Sequence, residues 1–212
     1  MYIRLGRVRI HIGFPFAAFC AFVANSEIGV SLILVFVSAL LHECGHTAAL
    51  ICCGESSLTL ILSPFGARIN SRVADRLPYK LDAAVAFSGP AVNLSLAAVL
   101  YVLYGVTDGQ RLLSAAETNL MLGTVNLLPF SFLDGGRILS DILLLHITEE
   151  RASFVSEVLS ASVFVILLIL CVYLTVMGEN TVFIVAFLVF CILKKHFSDT
   201  CNKKQIVLKW KK

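Results

Sequence analysis

Charge is scarce in this chain. Asp, Glu, Lys and Arg make up 15% of its 212 residues, against about a quarter in an average soluble domain. Apolar residues reach 58%, and the mean hydropathy is +0.88. That balance excludes an ordinary soluble domain. Paired cysteine chemistry is missing too. The seven cysteines are an odd count without C-x-x-C spacing, which argues against a disulfide framework and a cysteine zinc cluster. Cysteines inside apolar runs read as small hydrophobes. No Pro/Ser-rich linker, low-complexity stretch or block repeat marks a second domain. One membrane domain is expected over residues 1–193, with its core at 28–147 and a basic cytoplasmic tail at 194–212. The net charge is only +3, and no nucleic acid is expected as a partner.

Six apolar stretches approach the roughly 20 residues needed to cross about 30 Å of hydrocarbon. They are residues 10–24, 28–53, 81–104, 112–130, 154–177 and 181–193. After the second, residues 57–70 are rich in β-formers, with Pro64 and Gly66 supplying a turn. The expected fold is therefore an all-α polytopic membrane protein of six transmembrane helices, with a small β-hairpin after the second. Six spans put both termini on one side, and that side collects sixteen of the seventeen Lys and Arg residues, leaving Arg111 opposite. The positive-inside rule makes it the cytoplasmic side of the cell membrane. The basic tail is suited to anionic lipid.

Within the second stretch stands His42-Glu43-Cys44-Gly45-His46. Read as a helix, His42 and His46 share a face. Two imidazoles at that spacing can hold one zinc ion, and Glu43 can take the proton of an attacking water. Polar groups deep in a membrane are expensive and need partners, so function is the default reading. Zinc hydrolysis needs a third protein ligand and an open position. A metzincin-type continuation would place Gly and His at positions 49 and 52, where Ala49 and Cys52 stand. The remaining candidates are Asp82, Glu117, Asp134, Asp141 and His146. Asp134 is favoured because Gly135 and Gly136 allow close backbone approach, with Asn126 and Pro129 just before. By helix rise, His42 lies about 16 Å below the cytoplasmic end of its span. Asp134 reaches it only if its segment dips into the membrane, which irregular backbone tolerates where protein buries it. In the third span, Gly89 and Pro90 read equally as a packing and kink device, and Asn93 as an interhelical hydrogen bond. A haem pair would explain the histidines but not Glu43 or Asp134.

Three blocks resemble those of the site-2 proteases, zinc metalloproteases that cut substrates within or near the membrane. The His42–His46 block looks like that family's H-E-x-G-H helix. Asn126-Leu127-Leu128-Pro129 with Leu133-Asp134-Gly135-Gly136-Arg137 is similar to its N-L-L-P-x-x-P-L-D-G-G-R element, with Phe132 in place of the second proline. Ser88-Gly89-Pro90 with Asn93 resembles its G-P-x-x-N. The resemblance implies His42, His46 and Asp134 as zinc ligands and Glu43 as catalytic base. It also implies that Asn126, with Gly89, Pro90 and Asn93, serves the substrate or the transition state. The compact group of stage IV sporulation protein FB is the most similar in pattern, with six spans, no PDZ insert and Ser63-Pro64-Phe65-Gly66 after the second span. Its substrate is a sporulation sigma-factor precursor held by inhibitory membrane partners. Many members add a nucleotide-binding CBS domain, for which residues 194–212 are too few. The expected activity is hydrolysis of a peptide bond in a transmembrane or membrane-tethered substrate, as in regulated intramembrane proteolysis. The competing expectation is a non-catalytic membrane regulator or transporter with a structural metal site.

Overall fold

Val8-Arg9-Ile10-His11-Ile12 alternates apolar and polar residues, the period of a strand. In the computed structural model it is a strand. The described residues are 2–5, 8–12, 29–55, 58–63, 66–71, 73–179, 181–182 and 184–193. Strand β1 (Tyr2–Leu5) pairs antiparallel with β2 (Val8–Ile12), with Leu5 opposite Val8. The expected first span thus begins as sheet at residues 10–12; the rest of it, 13–24, lies outside the described residues, as does the 194–212 tail. Strands β3 (Leu58–Ser63) and β4 (Gly66–Asn70) pair antiparallel with Ser63 opposite Gly66. β2 also runs parallel to β3, with Val8 opposite Leu58. The result is a four-stranded sheet in the order β1-β2-β3-β4, where a lone hairpin was expected. Parallel partners need a long crossover, and here helix α1 (Gly29–Cys52) lies within it.

Two more long helices follow the sheet, α2 (Tyr79–Thr107) and α5 (Glu149–Val176), with the shorter α3 (Gln110–Asn126) and α4 (Asp134–Leu144) between them. A short apolar helix, α6 (Ile184–Leu193), closes the described residues. Residues Leu32–Cys52 of α1, and all of α2 and α5, are long and apolar enough to cross a membrane. α2 starts after Pro78 and ends at Asp108, whose left-handed backbone (φ 51°) returns its N–H to the Tyr104 carbonyl at 2.8 Å. Inside it, buried Pro90 offers no N–H, so the Ala86 carbonyl lacks its usual helical donor. α3 has 17 residues, about 26 Å of helix, and stops four residues before the expected end of its span. Its backbone turns there, with the Leu127 and Leu128 amides donating to the Thr124 and Val125 carbonyls, both at 3.1 Å.

Compact packing divides the chain into Met1–Ser153 and Phe154–Lys212. In the first unit α2 is central, packing against α1, α3 and α4. Gly45 makes the α1–α2 crossing close: a Cβ there would sit 2.7 Å from the Ser88 carbonyl oxygen and 3.1 Å from Gly89 Cα. Leu50, Leu58 and Val85 form a buried cluster joining α1, β3 and α2. Buried Glu55 accepts from Ser71 Oγ and from the Val73 amide (3.0 Å), tying the exit of β4 to the end of α1. In the second unit, Thr175 Oγ1 and Thr181 Oγ1 lie 3.0 Å apart across the turn at Gly178, whose φ is 82°.

Candidate metal centre

His42 and His46 project from successive turns of α1 and are both buried. Their rings meet edge to face, with centroids 4.8 Å apart. Each ring is pinned through Nδ1. His46 Nδ1 lies 2.8 Å from the Val85 carbonyl, which can only accept, so this nitrogen carries a proton. His42 Nδ1 lies 2.6 Å from Asn93 Oδ1. Asn93, fully buried in α2, donates its two amide protons to the Ser38 carbonyl (3.1 Å) and to Asn119 Oδ1 (2.8 Å). Its Oδ1 is therefore the atom left facing His42, and His42 Nδ1 is protonated as well.

A neutral imidazole carries one ring proton, so both Nε2 atoms present lone pairs. They lie 3.1 Å apart. Asp134 Oδ2 sits 2.9 Å from one and 3.2 Å from the other. Three acceptors thus crowd one point with no donor among them, an arrangement that calls for a cation. Tetrahedral zinc, with bonds of about 2.0–2.1 Å, sets its ligand atoms about 3.3 Å apart, close to the spacing here. Gly89 faces the same point. A Cβ there would lie 2.6 Å from His46 Cε1 and 2.7 Å from His42 Nε2, and nearer still to His46 Nε2. Two imidazoles and one carboxylate make a donor set that fits zinc, with three protein ligands as in hydrolytic sites.

Asp134 comes from a different kind of structure. It opens α4, where an acidic side chain complements the helix N-terminus. The turn before it packs directly on the helix: a Cβ on Gly135 would collide with the Leu127 carbonyl and lie 2.6 Å from that of Leu128. One on Gly136 would collide with the Phe130 carbonyl. Phe132, which replaces a proline of the resembled element, stacks on buried Phe130 with centroids 5.7 Å apart. Arg137 Nε donates to Asp82 Oδ2 at 2.9 Å and Nη2 donates to Oδ1, fastening α4 to the start of α2.

The other candidates lie apart from the three. Asp82 is committed to Arg137, with buried Asp141 beside them. His146 Nδ1 donates to the Ile142 carbonyl at 2.9 Å, and Glu117 is exposed on α3. Glu43, half-buried, adjoins the triad and interacts electrostatically with His42, His46 and Asp134. Asn126 Nδ2 donates to the Leu122 carbonyl of its own helix at 2.9 Å, and no hydrogen bond among the described residues joins it to the triad. Pro90 is buried one residue beyond Gly89. Two participants were absent from the sequence reading, Ser38 and Asn119. Single polar residues in apolar helices carry no motif, and their burial at Asn93 is visible only in three dimensions.

Similarity to known proteins agrees with this geometry. The family model described as peptidase family M50 matches residues 110–171. A zinc metalloprotease of Methanocaldococcus jannaschii is 35% identical over 119 residues, which is 54% of this chain and 34% of that protein. The chain therefore matches about a third of that relative's length. The solved structure of a site-2 protease from the same organism superposes with a TM-score of 0.60 over 90% of this chain and 91% of that one. At 24% identity that likeness establishes the fold.

Proposed function

We propose that this chain is an intramembrane zinc metalloprotease of the site-2 type. The carrying observation is the convergence of His42 Nε2, His46 Nε2 and Asp134 Oδ2 with both Nδ1 protons already committed. Held by those three atoms, zinc supplies a Lewis acid for the scissile carbonyl and lowers the pKa of water toward neutrality. Glu43 is the base: next to the triad, its carboxylate takes the proton of the attacking water and passes it to the departing amine. Asn93 and the Val85 carbonyl hold the two imidazoles in the tautomers this needs. Gly89 lets the α2 backbone close on the histidines, where any Cβ would meet their rings. Asn126, at the end of α3, would touch the substrate rather than the triad.

The substrate is a transmembrane or membrane-tethered protein presented in extended form, since the carbonyls of a helical peptide are shielded. Strand β4 is an edge of the sheet and lies against α1; a substrate strand added there would run alongside the metal helix. Cytoplasmic termini are the reading supported by the one-sided distribution of basic residues, and three helices are long and apolar enough to cross a membrane. The resemblance to the compact sporulation group makes a sigma-factor precursor, with inhibitory membrane partners, the first substrate to try. The test is Glu43→Gln with a co-expressed membrane substrate. Cleavage should fall at least 1000-fold, an order set by losing the essential proton carrier, while zinc content stays near one ion per chain. Unchanged cleavage would remove the base assignment.

A further inference from the structure

We infer that Asn119 and Ser38 are positioning residues that fix the tautomer of His42 and thereby the hold on zinc; this rests on the zinc reading above. Asn119 lies on α3, 2% exposed, and does not touch the triad. Its Nδ2 donates to Ser38 Oγ at 2.9 Å and to the Ala115 carbonyl at 2.8 Å. Both of its protons are therefore used, and its Oδ1 is the atom turned to Asn93 Nδ2, 2.8 Å away. That contact, together with the Ser38 carbonyl 3.1 Å from the same Nδ2, sets which way the Asn93 amide points. An amide can be flipped at little cost in shape, exchanging oxygen for NH₂. A flipped Asn93 would aim a donor at His42 Nδ1, move the ring proton to Nε2 and block the nitrogen that faces Asp134. The Ser38 carbonyl restrains the flip from one side and Asn119 Oδ1 from the other.

The relay is asymmetric. His46 is pinned by a backbone carbonyl, which cannot flip. Only His42 depends on side chains, and those come from three helices: Ser38 on α1, Asn93 on α2 and Asn119 on α3. The relay thus makes zinc affinity sensitive to how α3 sits against α1 and α2. Outer partners of metal-ligating histidines are worth about 10–100-fold in metal affinity. One link further out, the lower end of that range applies to Asn119.

The experiment uses the full chain in detergent with selectively ¹⁵N-labelled histidine, and zinc as the probe. In the metal-free protein at pH 8, wild type should show the Nδ1–H form at both His42 and His46. Asn119→Leu should give a mixture at His42 and leave His46 unchanged, and should weaken zinc, in competition with a chelator, about 10-fold. Ser38→Ala removes one acceptor of Asn119 with little change in volume. It should act in the same direction by about 3-fold, below that range because it reaches His42 only through Asn119, and serves if Asn119→Leu does not fold. A purely structural role would lower thermal stability without moving the His42 signal or zinc affinity. That result in either variant overturns the proposal. If wild type holds no zinc yet Asn119→Leu still shifts the His42 signal, the relay stands and the zinc reading fails.

Discussion

The two halves of the candidate centre are built in opposite ways. The histidine half is regular helix whose side chains are wired. His42 and His46 are buried, and each Nδ1 has a defined acceptor that leaves Nε2 free. The aspartate half is wired through backbone. The Asp134 side chain is 21% exposed, and its close polar neighbours among the described residues are the Nε2 atoms of the two histidines. Its place is set by α4, which rests on the 127–131 turn through Gly135 and Gly136 and on α2 through Arg137 and Asp82. Rotamer and tautomer are therefore prepared in one half, while in the other a whole helix is placed and its first side chain follows. Substitutions should separate the two kinds of control.

The largest effect is expected where a new atom enters the histidine half. Gly89→Ala puts a methyl within 2.7 Å of His42 Nε2, at the crossing where Gly45 brings α1 and α2 close. Zinc affinity should fall by at least 100-fold, the upper end for a lost ligand arrangement. The overpacking cost to the metal-free fold should stay at about 1–3 kcal/mol. Gly135→Ala should do the reverse. Its methyl meets the Leu127 backbone carbonyl rather than a ligand, so thermal stability should drop more than in Gly89→Ala, and zinc only through the loss of Asp134. Chelator competition and thermal melts on both variants decide this. Equal ratios of affinity loss to stability loss would erase the distinction between the halves.

The same contrast explains what the sequence disclosed. His42, Glu43 and His46 are legible because helix periodicity alone brings i and i+4 together. Asn93 was legible as an interhelical hydrogen bond and as the end of a G-P-x-x-N block, but its acceptor role towards His42 depends on Asn119 from another helix. Asp82 and Asp141 appeared as possible ligands because an acid near a membrane surface looks the same whether it faces metal or arginine. The pairing of Asp82 with Arg137 spans 55 residues. β1 and β2 were hidden for a similar reason. Their basic residues carry an orientation signal, and the second partner of β2 is β3, some 50 residues on. Hydrophobic length identified α1, α2 and α5. It overestimated α3, whose last expected residues form the turn that seats α4.

A middle-sized effect should follow from loosening α4. Arg137→Gln leaves Asp82 without its cation and Asp141 beside it. Zinc affinity should weaken about 10-fold, as for an outer partner, with the imidazole ¹⁵N signals of the metal-free protein unchanged. Adding Asp82→Asn should restore part of the loss, since the uncompensated carboxylate is then gone. A shift at His42 in Arg137→Gln would mean that the two halves communicate after all.

The smallest effect tests the acid pair behind that latch, and it concerns stability rather than metal. Asp141 is 7% exposed, and its Oδ2 accepts no hydrogen bond among the described residues. The charged groups facing it are Asp82 from α2 and Arg137 from its own helix. Burial first, and the Asp82 carboxylate second, push its pKa up to about 6, with Arg137 opposing. In the unfolded chain an aspartate titrates near 3.9, as a rough reference. The folded state therefore binds this proton more tightly. Its contribution to stability is complete below about pH 4 and is lost as pH rises through about 6. Asp141→Asn mimics the protonated form at every pH. In melts of the metal-free protein, variant and wild type should agree near pH 4. Wild type should then fall behind as pH rises toward 7, by about 3 kcal/mol at the usual conversion, and the gap should stay constant above that. A gap independent of pH between 4 and 8 would mean that Asp82 and Asp141 share no proton. The aspartate half would then rest on the glycine contacts and the Arg137–Asp82 pair alone.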